Sequence, residues 1–128
     1  EIMHENNEYE VPAIGEIKGK MWKGKADIIT DDCIIDLKTT GDIKKFKWSA
    51  KNYNYDSQCY IYQQLFGKPL VFFVIDKTTK MLGIFRPTEE FVRGGERKVE
   101  DAIDVYDKFF GDNSTEDVSG FIIEEELF

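Results

Sequence analysis

Cysteine is scarce in this chain of 128 residues: Cys33 and Cys59 are the two it has. Two thiols cannot supply all four ligands of an iron–sulfur cluster. One lies in an expected strand and the other in an expected helix, so free buried thiols are a better reading than a disulfide. Histidine is scarcer still. His4 stands alone near the start and is assigned no role. There is no apolar run of about 18 residues, so no transmembrane helix is expected. The first residues lack the basic-then-apolar pattern of a signal peptide. Repeats and low-complexity linkers are missing too. Excess positive charge is also absent: the formal net charge is -8, which argues against a generic polyanion binder.

What the chain does have is aromatic content of 14%, enough to argue against disorder. One domain spanning residues 1–128 is the expectation at this length. The chain opens on Glu1 rather than Met, which suggests a trimmed chain or a fragment. Charge is uneven. Lys44, Lys45, Lys47 and Lys51 form a basic island, while Glu124, Glu125 and Glu126 crowd the end.

The pattern predicts strands over 9–17 and 20–30, joined at Lys18-Gly19. Pro12 suggests an edge or a bulge in the first, and Gly24 a bulge in the second. Residues 25–38 read as a tight hairpin turning at Asp31-Asp32. Counting outward from that turn, Ile28 faces Ile35 and Asp27 faces Asp36, with Cβ atoms roughly 4.5–5.5 Å apart. Lys38 shares a face with Asp36. Ala26, Ile28, Ile35 and Leu37 occupy the other face, which reads as core.

Residues 42–51 suggest a short helix, and 52–55 a loop. A helix capped by Asp56 or Asn54 follows and ends at Gly67. Residues 70–75 are a near-continuous apolar run, a strand buried on both faces. Residues 81–86 pair back on it. A last helix starts at Thr88 and ends near Gly111, with Gly94-Gly95 a candidate break. Residues 121–128 read as a short strand or a tail. The order is β-β-β-α-β-β-α, an α/β or α+β sandwich with a mixed central sheet.

Two acids directly opposite destabilise a sheet unless something offsets them. A divalent cation, Mg²⁺ or Mn²⁺, suits such hard oxygen ligands, and the Leu37 carbonyl can join the shell. Lys38 would then orient an attacking water and stabilise developing phosphoryl charge. The competing reading is a solvated hairpin face on which Lys38 balances two acids. Gln58 and Tyr62 are four apart and share a helical face, suited to positioning a phosphate, a base or the lysine. An ordinary helix surface, or a half-buried tyrosine with its hydroxyl wet, is the commoner meaning of such a pair. Lys44, Lys45, Lys47 and Trp48 either line a DNA path, with lysines on phosphates and Trp48 on a base, or belong to an amphipathic segment that buries Phe46 and Trp48.

Taken together, Gly24-Lys25-Ala26-Asp27, then Ile34-Ile35-Asp36-Leu37-Lys38-Thr39-Thr40, then Gln58 and Tyr62 resemble the PD-(D/E)xK nuclease superfamily. The similarity is to the branch of RecB-like nuclease domains, lambda-type phage exonucleases and the RecE exonuclease. It covers about residues 20–86. The resemblance implies a restriction-endonuclease-like core, with Asp27 and Asp36 as metal carboxylates, Lys38 as catalytic lysine, and Gln58 and Tyr62 as the helical motif. It also implies a Mg²⁺-dependent DNA exonuclease of the phage recombination kind, cytoplasmic and bacterial or phage-encoded. Homo-oligomers and a single-strand annealing partner go with that type. The family often carries a further acid or histidine on a helix well upstream, so the resemblance implies an N-terminal helical segment missing here; Glu1, His4, Glu5 and Glu10 are the candidates, none in a clear motif. Two other readings stay open: a nucleic-acid-binding module that keeps the fold without catalysis, and a structure-selective endonuclease.

Overall fold

The computed structural model describes residues 5–112, 114 and 116–127. Five strands form one sheet in the order β1-β2-β3-β4-β5. They are β1 (Glu8–Ile17), β2 (Lys20–Ile29), β3 (Ile34–Thr40), β4 (Leu70–Asp76) and β5 (Leu82–Phe85). Three α-helices accompany them: α1 (Phe46–Asn52), α2 (Tyr55–Phe66) and α3 (Glu89–Phe110). Short 3-10 turns precede α1 at Ile43–Lys45 and follow α3 at Val118–Phe121. The fold is a mixed α+β sandwich. Only β3 and β4 run parallel, as the helical crossover between them requires.

The β1–β2 register places Pro12 opposite Lys25 on the outermost strand, a position where a missing N–H costs no ladder bond. Gly24 is no bulge. It pairs in register with Ala13, and a Cβ there would meet the Tyr62 ring at 2.7 Å. Bare backbone at this point lets α2 approach the sheet. Gly94 and Gly95 likewise do not break α3, which is continuous. A Cβ on Gly95 would sit 2.0 Å from the carbonyl oxygen of Asp56, so this glycine exists for the contact between α2 and α3. Thr88 caps α3, its hydroxyl accepting from the Phe91 N–H. Asn54 holds the N-cap position of α2 in a left-handed conformation, and Asp56 follows in the first turn. The C-terminal residues 122–127 form neither strand nor helix.

The core lies on one face of the sheet. Ala26, Ile34, Leu70, Phe72 and Val74 pack there against Phe46 and Ala50 of α1 and Cys59 of α2. Both cysteines are free thiols. Helix α3 packs on the outside of α2, and Val99 and Tyr60 close a second cluster with Ile17.

The opposite face departs from expectation. Ile35, Val71 and Phe73 are buried, but Leu37 is 51% exposed and Ile75 47%. Leu82 and Ile84, opposite Ile75 and Phe73 in register, extend this half-open apolar patch. Ala26 and Ile35 therefore belong to different clusters, not to one shared core face. The hairpin side carrying Asp36 is the main core face. Period-two alternation cannot reveal which of two apolar faces the helices will cover.

Candidate active site

The site grows from the point where β2 and β3 stop pairing. Ile29 and Ile28 pair with Ile34 and Ile35, and the ladder ends there. In that register the Leu37 N–H would next donate to the carbonyl of Ala26. It donates instead to Asp27 Oδ2 at 2.8 Å. A carboxylate thus takes over the ladder, and Asp27 reaches toward β3 from the position opposite Asp36.

Asp36 is 4% exposed, at the centre of a five-stranded sheet and beneath α2. Its Oδ1 accepts from Gln58 Nε2 at 2.9 Å, and its Oδ2 lies 3.0 Å from Lys38 Nζ. Burial is the largest influence on its carboxyl and raises its pKa above the ordinary value. Lys38 and Gln58 pull it back, while the charge of Asp27 pushes it further up. Lys38 itself is largely covered, and its amine sits over the Tyr55 ring, 4.3 Å from the centroid. A tyrosine face and a carboxylate thus hold one ammonium between them.

Helix α2 supplies one stripe of this site. Tyr55, Gln58 and Tyr62 recur at three- and four-residue spacing and share a face. Tyr62 OH accepts from the Lys25 N–H at 3.3 Å, anchoring β2 two residues before Asp27. Tyr55 is the participant that sequence reasoning missed, since residues 52–55 read as a loop. Its three-residue offset from Gln58 was the signal available.

Asp27, Asp36, Lys38, Gln58 and Tyr62 therefore converge, and the backbone of Leu37 runs between the two acids. The basic island does not join them. Lys44, Lys45 and Lys47 are exposed, and no ion pair or hydrogen bond among the described residues links them to either carboxylate. Phe46 is buried, whereas Trp48 is 67% exposed with Lys47 Nζ 5.2 Å from its ring centroid. The amphipathic reading holds for Phe46 and fails for Trp48.

Of the upstream candidates, Glu1 and His4 lie outside the described residues. Glu5 is exposed. Glu10 stands between Tyr9 and Val11, which pair with Ile28 and Ala26, and its carboxylate is turned to Lys25 Nζ at 2.9 Å. Among the described residues, no three of His, Cys, Asp and Glu cluster as a metal cage.

Two carboxylates and a backbone carbonyl nevertheless suit a hard divalent cation that keeps part of its water shell. Two acids against one lysine leave a net negative charge. Asp36 Oδ2 is buried beside the Lys38 amine at 3.0 Å, and a carboxylate oxygen with one such neighbour keeps a second lone pair for a cation. The donor set fits the ion.

No helix of the described residues is long and apolar enough to cross a membrane. A search of curated proteins finds no match. Among solved structures, a protein from Eubacterium rectale, described as a "putative exonuclease", superposes with a TM-score of 0.70 at 20% identity. The alignment covers 96% of this chain and 55% of that one. A second, SSO0001, aligns at a TM-score of 0.48 and 27% identity over 74% of this chain and 50% of its own. The chain thus spans about half the length of the solved structures it matches. The first of these likenesses establishes the fold. Residues 3–121 match the model of a PDDEXK-like domain of unknown function. The acid pair, the lysine two places on and the mixed sheet beneath them agree with that match, and the chain belongs to the PDDEXK-like family, within the PD-(D/E)xK nuclease superfamily.

Proposed function

We propose that this chain is the catalytic core of a metal-dependent nuclease that hydrolyses phosphodiester bonds of DNA. One observation carries the reading: a buried carboxylate, Asp36, is held between Gln58 and Lys38 with the carboxylate of Asp27 beside it. Asp27, Asp36 and the Leu37 carbonyl would hold Mg²⁺ or Mn²⁺, which would polarise the phosphate and acidify a water. The remaining work falls to the protein. Gln58 fixes one oxygen of Asp36, so the other keeps a constant aim. Tyr55 and Asp36 hold the Lys38 amine beside the acids, where it orients the attacking water and offsets charge developing on phosphate. Tyr62 ties α2 to β2 and keeps Asp27 in place.

The finer reading is an exonuclease of the phage recombination type, working on linear DNA, with oligomers and an annealing protein as its natural company. It is supported by the order of the three motifs. The test is digestion of end-labelled linear duplex with Mg²⁺ or Mn²⁺. Asp36→Ala and Lys38→Ala should each abolish it, and undiminished digestion by either rejects the assignment. Cutting of covalently closed circles would show an endonuclease instead.

A second reading is favoured by the two-carboxylate donor set: a DNA-binding module without catalysis. Calorimetric titration of Mn²⁺ separates the two. Site binding that Asp27→Ala removes supports the enzyme, and no binding by the intact chain supports the module.

A further inference from the structure

We propose that the cleft next to the Asp36–Lys38 pair holds an unpaired nucleobase of the substrate strand, so that the site works on single-stranded or frayed DNA. The proposal rests on the nuclease reading and adds the form of DNA that reaches it.

The cleft, of about 860 Å³, opens between α1, the end of β5 and the start of α3. That volume falls within the range of small-molecule sites. Its inner wall is aromatic: Phe46, Phe72, Phe85 and Phe91. At the mouth stands Trp48, its ring open to solvent. Lys47, Lys51 and Arg86 surround the mouth, with Glu90 the acid among them. Three cations against one acid is a local reversal in a chain of net charge -8. Such a rim complements a phosphate backbone, and the aromatic wall complements the base hanging from it.

One aromatic ring joins this cleft to the reacting groups. The Lys38 amine sits 4.3 Å from the Tyr55 centroid, and Tyr55 lies 5.9 Å from both Phe46 and Phe72. Phe72 is also the β4 partner of Asp36 in register. Two rings of the cleft wall thus stand one side chain away from the Lys38 amine, and in the proposal a strand whose phosphate sits at Asp36 and Lys38 lays a neighbouring base against them. A base stacked inside a duplex cannot enter the cleft; the base must first leave its stack.

The experiment uses the intact chain in EDTA, where metal-dependent cutting is silent, and fluorescence anisotropy of labelled oligonucleotides. The probes are a single strand, its blunt duplex, and the same strand carrying abasic residues. The single strand should bind about tenfold more tightly than either of the others, the worth of stacking one base. Trp48→Ala, an exposed position that leaves the core untouched, should remove that preference. Equal binding of intact and abasic strands overturns the proposal, as does a preference that survives Trp48→Ala. A parallel digestion with Mg²⁺ or Mn²⁺ separates the two readings. Base-dependent binding without any cutting retires the nuclease while the cleft stands. Cutting without base-dependent binding does the reverse.

Discussion

At the scale of single residues, Asp36 bears two opposed demands. Burial raises the pKa of its carboxyl, so folding without metal works against its charged form. The sign follows from linkage: with the folded value above the unfolded one, stability is fully present below the unfolded value and is lost as pH rises through the folded value. Asp36→Asn should therefore raise the melting temperature of the metal-free chain at pH 7, while lowering Mg²⁺-dependent cleavage by about 10²–10³ or more. Calorimetry in EDTA and an end-label assay check the two halves separately; a fall in melting temperature would contradict the account. The thiols give a second residue-scale contrast. Burial is the main cause pushing Cys59 up to about 12, against help from Gln63, whereas Cys33 is half-buried on the open side of the sheet. At pH 8 a thiol reagent should modify Cys33 in the native chain and reach Cys59 only after denaturation. Mass spectrometry after a short pulse would show one adduct, then two.

Among elements, α2 is the one that assembles the site, and its position depends on two glycines, Gly24 of β2 and Gly95 of α3. Gly95 of α3 faces the backbone of Asp56 at a distance no Cβ tolerates. Gly95→Ala should destabilise by about 3 kcal/mol, since backbone rather than a flexible side chain must shift. Gly94, one residue earlier, has only ordinary contacts. Gly94→Ala should be neutral or gain up to about 1 kcal/mol from helix propensity. Chemical denaturation of the pair distinguishes packing from propensity. The turn after β4 gives a pH prediction. Asp76 is buried and accepts from the N–H groups of Ile43, Thr78 and Thr79, which hold its carboxyl below the ordinary carboxylate value. Its contribution is present above the unfolded value near 4 and fades as pH falls through the folded one. Asp76→Asn should flatten the acid limb of the stability curve, as read from melting temperatures at pH 5, 4 and 3.

For the whole molecule, charge decides how DNA is met. A chain of net -8 repels a polyanion at long range, so binding depends on the local rim at the cleft. Were Lys47, Lys51 and Arg86 each to neutralise a phosphate, log affinity for a single strand should fall against log salt with a slope of about -2. Lys51→Ala should bring the slope to about -1.4. Anisotropy at four salt concentrations measures both.

The chain alone determined the order of strands and helices along it, the hairpin register that pairs Ile28 with Ile35, and the spacing that puts Lys38 on the same side as Asp36. Those are local matters: turn chemistry and a two-residue period settle them within some fifteen positions. It also carried the family likeness in the three motifs. Tertiary packing alone decided the rest. Which apolar face the helices would cover, and hence that Asp36 would be buried, depended on how α1 and α2 fell back across the sheet. Gly24 and Gly95 read as bulge and break because a glycine looks the same whether it bends its own segment or makes room for a neighbour. Tyr55 and the aromatic cleft were invisible for a related reason. Rings from α1, α2, α3, β4 and β5 meet there, and contacts between residues far apart in the chain leave no period to read.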